Sequence, residues 1–125
     1  MLNIINSTKS IQEIVNTIQE LATKFGFGVQ YVHNIKNNLE AKGRDLKEEC
    51  QIIDICSPDI ALELLDADMS ISTILPCSIA VYTKNGETFI AMNSLVQLVD
   101  DINPDLIPIA TKAQESLLQI IKEAK

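Results

Sequence analysis

The chain has 125 residues, of which 46% are hydrophobic and 22% charged, a composition typical of one globular domain (residues 1–125) rather than of a disordered segment. Its net charge of −7 argues against a nucleic-acid partner, because a phosphate backbone attracts clustered lysine and arginine. Since no apolar run is long enough to span a bilayer and no secretory signal begins the chain, we expect a cytoplasmic protein without a membrane partner.

The first predicted elements are a short strand at residues 2–5 and a helix at 10–25. Apolar residues recur within the helix at the three- and four-residue spacing of one helical face. Ser10 and Glu13 form a capping-box pattern at its start, and Gly26 suits the left-handed stop at its end.

The next two strands are predicted from alternation. Residues 28–35 place Val29, Tyr31 and His33 on one face, and residues 36–44 favour one or two helical turns. A strand at 48–56 follows, and one of its faces is formed by Cys50, Ile52, Asp54 and Cys56.

The second half of the chain predicts helices around one hairpin. Ser57-Pro58 opens a helix at 58–66, with a capping hydroxyl followed by proline at the first helical position. The β-prone run 69–75 is either an edge strand or a loop at a pocket or dimer seam. Strands at 75–84 and 87–92 flank Asn85-Gly86, a strong signal for a two-residue turn.

Two helices complete the chain, one capped by Ser94 and one at 104–123 with Pro108 near its first turn. A hairpin excludes a purely parallel, doubly wound sheet. The order of elements therefore predicts an α+β domain with an antiparallel or mixed sheet and its helices mainly on one face.

Three stretches carry a family resemblance: 25–29 followed by His33 and Ile35, 55–58 followed by Ala61 and Leu64, and 75–82 leading into Asn85-Gly86. They contain a glycine after an amphipathic helix, a Cys-x-Pro that opens a helix, and a Leu-Pro-Cys that begins a hairpin strand. In this order they resemble the domain-of-unknown-function family 302, from about Ser7 to Lys122.

The resemblance implies a curved, mainly antiparallel sheet with helices on one face, a β-α-β(4)-α core similar to the TATA-binding-protein-like superfold. It also implies homodimers. The family has no established reaction, so the resemblance carries no catalytic residue to this chain, and fold analogy alone does not assign function.

Cys56 and Cys77 are the positions that match the cysteine motifs of the family. If their strand ends adjoin, both thiols face one pocket, and Cys56 lies where a helix dipole favours the thiolate. That predicts a redox pair, a sulfur carrier or a soft-metal site. The alternative is that both are inert, buried side chains, and two thiols supply only half of a typical zinc shell, so we expect neither a metal nor a cofactor.

Three further residues are candidate ligand contacts. Asp54 either faces solvent on the open side of the sheet, together with the cysteines of its strand, or is a buried carboxylate with a perturbed pKa. His33, the one histidine, is a general base or a metal ligand in one interpretation and a surface or partly buried residue with a backbone partner in the other. Pro76 marks the beginning or the edge of a strand.

Three functional hypotheses follow. The first is a homodimeric, non-enzymatic domain that binds a small molecule between the sheet and helices 10–25 and 104–123. Its candidate ligand-binding residues are His33, Asp54, Cys56, Pro76 and Cys77. The second is a thiol-based redox or sulfur-carrier protein that uses Cys56 and Cys77, and the third is a protein-interaction module acting through a sheet edge or the acidic surface.

Overall fold

The computed structural model describes residues 2–125, and its five strands form one antiparallel sheet. They are β1 (Leu2–Ser7), β2 (Gly28–Asn34), β3 (Cys50–Cys56), β4 (Cys77–Lys84) and β5 (Glu87–Asn93). The spatial order is β1-β5-β4-β3-β2, which makes β1 and β2 the two edges of the sheet.

The helices cover one face of this sheet and leave the other face open. They are α1 (Ile11–Lys24), α2 (Ile35–Glu40), α3 (Pro58–Ala67), α4 (Leu95–Ile102) and α5 (Ile107–Ala124). Two 3₁₀ segments, Met69–Ile74 and Pro104–Leu106, precede β4 and α5. The predicted α+β class and the antiparallel sheet with helices on one face are confirmed, and the run at 69–74 is a 3₁₀ turn rather than an edge strand.

Local sequence accounts for the start and end of α1. The Ser10 side chain accepts the backbone N–H of Glu13, and the Glu13 side chain accepts the backbone N–H of Ser10, which completes the predicted capping box. Gly26 has a φ of 78°, a conformation that glycine adopts without steric cost, and it turns the chain into β2.

The core lies between the sheet and the long helices α1 and α5. Its fully buried side chains are mostly isoleucine and leucine, namely Ile14, Ile18, Ile53, Ile55, Leu64, Ile71, Ile79, Ile90, Leu117, Ile120 and Ile121. Because such close-packed side chains occupy the space under the two helices, the sheet does not form a ligand pocket with both of them there.

A bulge in β2 changes which side chains share a face. Val29 pairs with Ile55, whereas Tyr31 pairs with Asp54, so one extra residue lies between the two pairs. Val29 consequently packs against the core, while Tyr31 and His33 lie on the open face. The prediction that all three share one face is wrong for Val29, because strict alternation fails across a bulge.

The hairpin of β4 and β5 pairs over only part of its length. Asn85 and Gly86 have φ values of 52° and 83°, as a type I′ turn requires, and they confirm the predicted two-residue turn. Pairing runs from the turn to Ala80 opposite Ala91 and ends there. Both strands nevertheless continue, β4 back to Cys77 and β5 on to Asn93. The candidate site lies at this divergence.

Candidate functional site

A cleft of about 270 Å³ opens where β4 and β5 diverge. Its walls come from the end of the 3₁₀ turn, both strands, α4 and one residue of α5. The lining residues are Thr73, Ile74, Leu75, Pro76, Cys77, Ser78, Met92, Asn93, Leu95, Leu98 and Leu117. The cleft thus reaches α5 only through Leu117 and does not reach α1, which corrects the predicted pocket position.

The α4 wall of the cleft is held against α5 by a hydrogen-bonded cap. Ser94 Oγ donates to Gln114 Oε1 over 2.8 Å. Gln114 Oε1 also accepts the backbone N–H of Val96 over 3.0 Å. Ser94 Oγ also accepts the backbone N–H of Gln97 in the first turn of α4. The predicted cap of this helix therefore also fixes the helix in place over the cleft.

Asp68 anchors the opposite wall. Its Oδ1 accepts the backbone N–H of Ser70 over 2.9 Å at the start of the 3₁₀ turn, and its Oδ2 accepts from Asn103 Nδ2 over 3.1 Å. Hydrogen bonds from the Ser70 side chain and backbone, and then from Asn103, hold the pKa of Asp68 below its usual value. The carboxylate thus ties this wall to the segment that precedes α5.

The cleft is uncharged, and both apolar and polar groups line it. Met92, Leu95 and Leu117 are buried residues of the core and contribute apolar surface to it. Thr73, Ser78 and Asn93 are its polar lining residues, and none of the lining residues carries a formal charge. Such a lining suits an uncharged ligand, because a buried charge without a partner is strongly disfavoured.

Two of the five predicted site residues lie in this cleft, namely Pro76 and Cys77. Pro76 directly precedes β4, as predicted, and the Leu75–Pro76 peptide bond is cis. Burial raises the pKa of the Cys77 thiol to about 11, with a smaller contribution from the neighbouring Cys56 thiolate. Cys77 therefore presents a neutral sulfhydryl to the cleft at physiological pH.

Cys56 lies on the other face of the sheet. Cys77 pairs with Ile55, so these two share the core-facing side, and Cys56, the next residue of β3, points the opposite way. The expectation that both thiols face one pocket is therefore wrong, although their strand ends do adjoin. Burial raises the pKa of Cys56, so the expected lowering by the following helix does not prevail.

The open face brings His33 and Asp54 together. His33 Nε2 lies 2.7 Å from Asp54 Oδ2, and Ser78 Oγ donates to Asp54 Oδ1 over a long 3.5 Å. The ring of Tyr31 meets the imidazole edge-on, with centroids 4.6 Å apart. Asp54 thus lies on the open face of the sheet, as does Cys56, and this is the first of the two placements predicted for Asp54. Its principal hydrogen-bond partner is His33, the one histidine of the chain.

Ser78 connects the two groups of predicted residues, and sequence reasoning missed it. It lines the cleft beside Pro76 and Cys77, and its hydroxyl reaches Asp54 on the open face. Asn93 was missed as well. No local pattern marks either residue, because their role depends on where the β4–β5 ladder stops, and that is decided by pairing between distant segments.

The open face also exposes large hydrophobic side chains. Leu2, Ile4 and Tyr31 are 54%, 51% and 61% exposed, and cross-strand register places all three on the side away from the helices. Tyr82 and Phe89 stack between them with ring centroids 5.6 Å apart. An antiparallel sheet that faces water usually carries polar residues there, so this surface is unusually apolar.

Within residues 2–125, no three histidine, cysteine, aspartate or glutamate side chains come together in an arrangement that holds a metal ion. None of the helices in that part of the chain is both long and apolar enough to cross a membrane.

Comparison with known proteins gives a consistent result for the fold. The sequence model of the family described as "Domain of unknown function DUF302" matches residues 4–124. The crystal structure of an uncharacterized conserved DUF302 protein from Bacillus stearothermophilus is similar, with a TM-score of 0.94 and 26% sequence identity over 99% of this chain and 98% of that one. Comparison with curated proteins found no match.

Proposed function

The chain belongs to the DUF302 family, and on that premise we propose that it is a homodimeric domain that binds a small, uncharged molecule in the cleft between β4 and β5. The observation that carries the proposal is the cleft itself, an uncharged and partly apolar concavity with three polar lining residues at the end of the β4–β5 ladder. Such concavities are the usual form of small-molecule sites in proteins.

The size and charge of the cleft limit the ligand. A volume of about 270 Å³ is slightly below the range of roughly 300–1,000 Å³ that is typical of sites for drug-sized molecules. A nucleotide or another phosphate ester is disfavoured, because the lining offers neither lysine nor arginine and the chain has a net charge of −7. The ligand class that fits is small, neutral and partly apolar.

The open face of the sheet supports the dimer. Two copies that pack these faces together remove Leu2, Ile4 and Tyr31 of each chain from water, in the self-complementary arrangement of a two-fold interface. The hydrogen bond between His33 and Asp54 lowers the cost of burying these two side chains in such an interface, since neither polar group is left without a partner. Cys77, Met92 and Leu95 line the part of the cleft on the core side of the sheet, which such a dimer leaves uncovered.

The thiol hypothesis has weaker support than the binding hypothesis. Burial raises the pKa of all three cysteines, and Cys56 and Cys77 lie on opposite faces of the sheet. Both features oppose thiolate chemistry. We keep the cytoplasm as the proposed location, because the three cysteines are free thiols, the state that a reducing compartment maintains.

A titration tests the binding proposal. Nitrogen-15-labelled protein is titrated with four small neutral probes (indole, p-cresol, cyclohexanone and caprolactam) while amide spectra are recorded. We expect at least one probe to shift amides that cluster on β4, β5 and α4, with saturation at a single site. If every probe leaves the cleft amides unmoved up to its solubility limit, the proposed function is overturned.

A further inference from the structure

We propose that the ligand of this cleft contains an amide that hydrogen-bonds to the free backbone of Ser78, as a neighbouring strand residue would, with Asn93 on the far wall. The inference rests on the proposed small-molecule binding and adds the chemical class of the ligand. It follows from the hydrogen-bond pattern of the sheet around the divergence.

Two hydrogen bonds show toward which neighbouring strand the backbone N–H and C=O groups of each residue in β4 and β5 point. Thr83 N donates to Glu49 O, on the β3 side, and the Thr88 carbonyl accepts from the Asn6 side chain, on the β1 side. Because this direction alternates along a strand, even-numbered residues of β4 and odd-numbered residues of β5 point toward each other.

Ser78 and Asn93 therefore form the next position at which the two strands would exchange hydrogen bonds. The ladder has ended by then, at Ala80 and Ala91, so this exchange is not made. Both residues line the cleft. Ser78 on β4 and Asn93 on β5 thus each direct a backbone N–H and a C=O into the space between the two strands.

The divergence is held from both sides and is not a frayed end. Ser78 still pairs with Asp54 of β3, and Asn93 still pairs with Leu2 of β1. Each strand is therefore fixed by its outer neighbour, so the inner backbone groups keep their directions. A preorganised donor and acceptor of this kind favours binding, because little ordering is required when a ligand arrives.

The lining agrees with an amide rather than an ion. An extended amino-acid residue between two amide groups offers its N–H and C=O on one edge without a net charge, which matches both the free backbone and the neutral lining residues. An apolar substituent on the ligand would contact Met92, Leu95 and Leu117 at the core side of the cleft. One amino-acid residue with capped ends has this chemistry.

A matched pair of probes tests the inference on the full chain. One probe is N-acetyl-L-leucine N-methylamide, and the other is its ester analogue, in which oxygen replaces the leucine N–H. We expect the amide to bind and to shift the Ser78 and Asn93 amide protons downfield. The ester should bind about tenfold more weakly, because it loses one hydrogen bond and sets an oxygen against a carbonyl.

The outcomes separate this inference from the proposed function. Equal affinity of the amide and the ester for the cleft overturns the inference and leaves small-molecule binding standing. Binding of a neutral probe such as p-cresol, without binding of the leucine amide, also overturns the inference and leaves small-molecule binding standing. If nothing binds the cleft, both proposals fail.

A pair of variants gives an independent check. Ser78→Pro removes the N–H that points into the cleft and breaks no ladder hydrogen bond. Leu62→Ala changes an exposed side chain of α3 outside the cleft and serves as the control. We expect the leucine amide to bind Leu62→Ala as it binds wild type and to bind Ser78→Pro at least fivefold more weakly. Equal binding to a folded Ser78→Pro protein contradicts the inference, and the ester comparison decides it if that variant does not fold.

Discussion

His33 Nε2 lies 2.7 Å from Asp54 Oδ2, although the two residues are diagonal rather than direct partners across the β2–β3 ladder. Direct register places His33 opposite Ile52 and Tyr31 opposite Asp54. The long imidazole reaches along the open face, where diagonal neighbours are close enough to interact. A charge-assisted hydrogen bond therefore lies beside the exposed Tyr31 at the β2 edge of the open face.

The His33–Asp54 pair should make a modest contribution to stability. Because both side chains are partly exposed, solvent screens the interaction, and we expect a coupling free energy of about 0.5 kcal/mol. Urea unfolding of His33→Gln, Asp54→Asn and the double variant measures this coupling in a double-mutant cycle. Strictly additive single-variant effects would show that the contact contributes nothing.

The dimer proposal predicts a strong effect of one charge on the open face. Ile4→Asp places a carboxylate on β1 without touching the core, and a buried unpaired charge opposes association. We expect wild type to have the mass of two chains by light scattering and Ile4→Asp to have the mass of one. Leu62→Asp on α3 is the matched control, because Leu62 is also an exposed large hydrophobic residue but lies on the helical side, and this variant should remain dimeric. A monomeric wild type refutes the proposal.

Filling the cleft should weaken ligand binding. Leu98 is half-buried on α4 and lines the cleft, so Leu98→Trp projects a larger ring into the cavity. We expect a loss of affinity of at least tenfold for any probe that binds wild type, measured by the same amide titration. Leu62→Trp adds the same ring outside the cleft and should bind normally. Unchanged affinity in Leu98→Trp would locate the probe elsewhere.

Cys77 should resist alkylation in the native protein. Its raised pKa, about 11, leaves little thiolate at neutral pH, and burial also limits access. We expect slow labelling by iodoacetamide from pH 7 to 9, read at each cysteine by mass spectrometry, and rapid labelling after unfolding. Fast native labelling with an apparent pKa below that of a free thiol would instead favour the thiol hypothesis.

The same thiol predicts a loss of stability at high pH. The unfolded chain releases the Cys77 proton near its ordinary value of 9.0, whereas the folded chain retains it until about pH 11. Stability from this group is thus complete below pH 9 and decreases as pH rises through that window. Comparing Cys77→Ala with wild type by urea unfolding at pH 8 and pH 10.5 isolates the effect, and wild type should lose more stability than the variant.

Asp68 predicts the opposite pH dependence. Its pKa is lowered in the folded chain by hydrogen bonds from Ser70 and Asn103, so its stabilising effect is present above the ordinary value of 3.8 and is lost as pH falls further. Asp68→Asn should melt at a lower temperature than wild type at pH 7, and the difference should shrink near pH 3. Asp66→Asn removes the same charge from the exposed side of α3 and controls for net charge. A constant difference at both pH values would contradict the assignment.

The sequence alone determined most of the secondary structure, because its signals are local. The capping box of Ser10 and Glu13, the cap at Ser57 and the Asn85-Gly86 turn each depend on a few adjacent residues, and the structure contains all three. The order of strands and helices then limited the fold to an antiparallel sheet with helices on one face. Membership of the DUF302 family agrees with that arrangement.

Only the tertiary structure decided where the cleft is and which candidate residues meet. The bulge that separates Val29 from Tyr31, and the early end of the β4–β5 ladder, both arise from pairing between segments far apart in the chain. A shift of one residue reverses which face a side chain occupies, so alternation within one strand did not establish that Cys56 and Cys77 lie on opposite sides. Ser78 and Asn93 showed no sequence signal, because their backbone groups are free only where β4 and β5 diverge beyond Ala80 and Ala91.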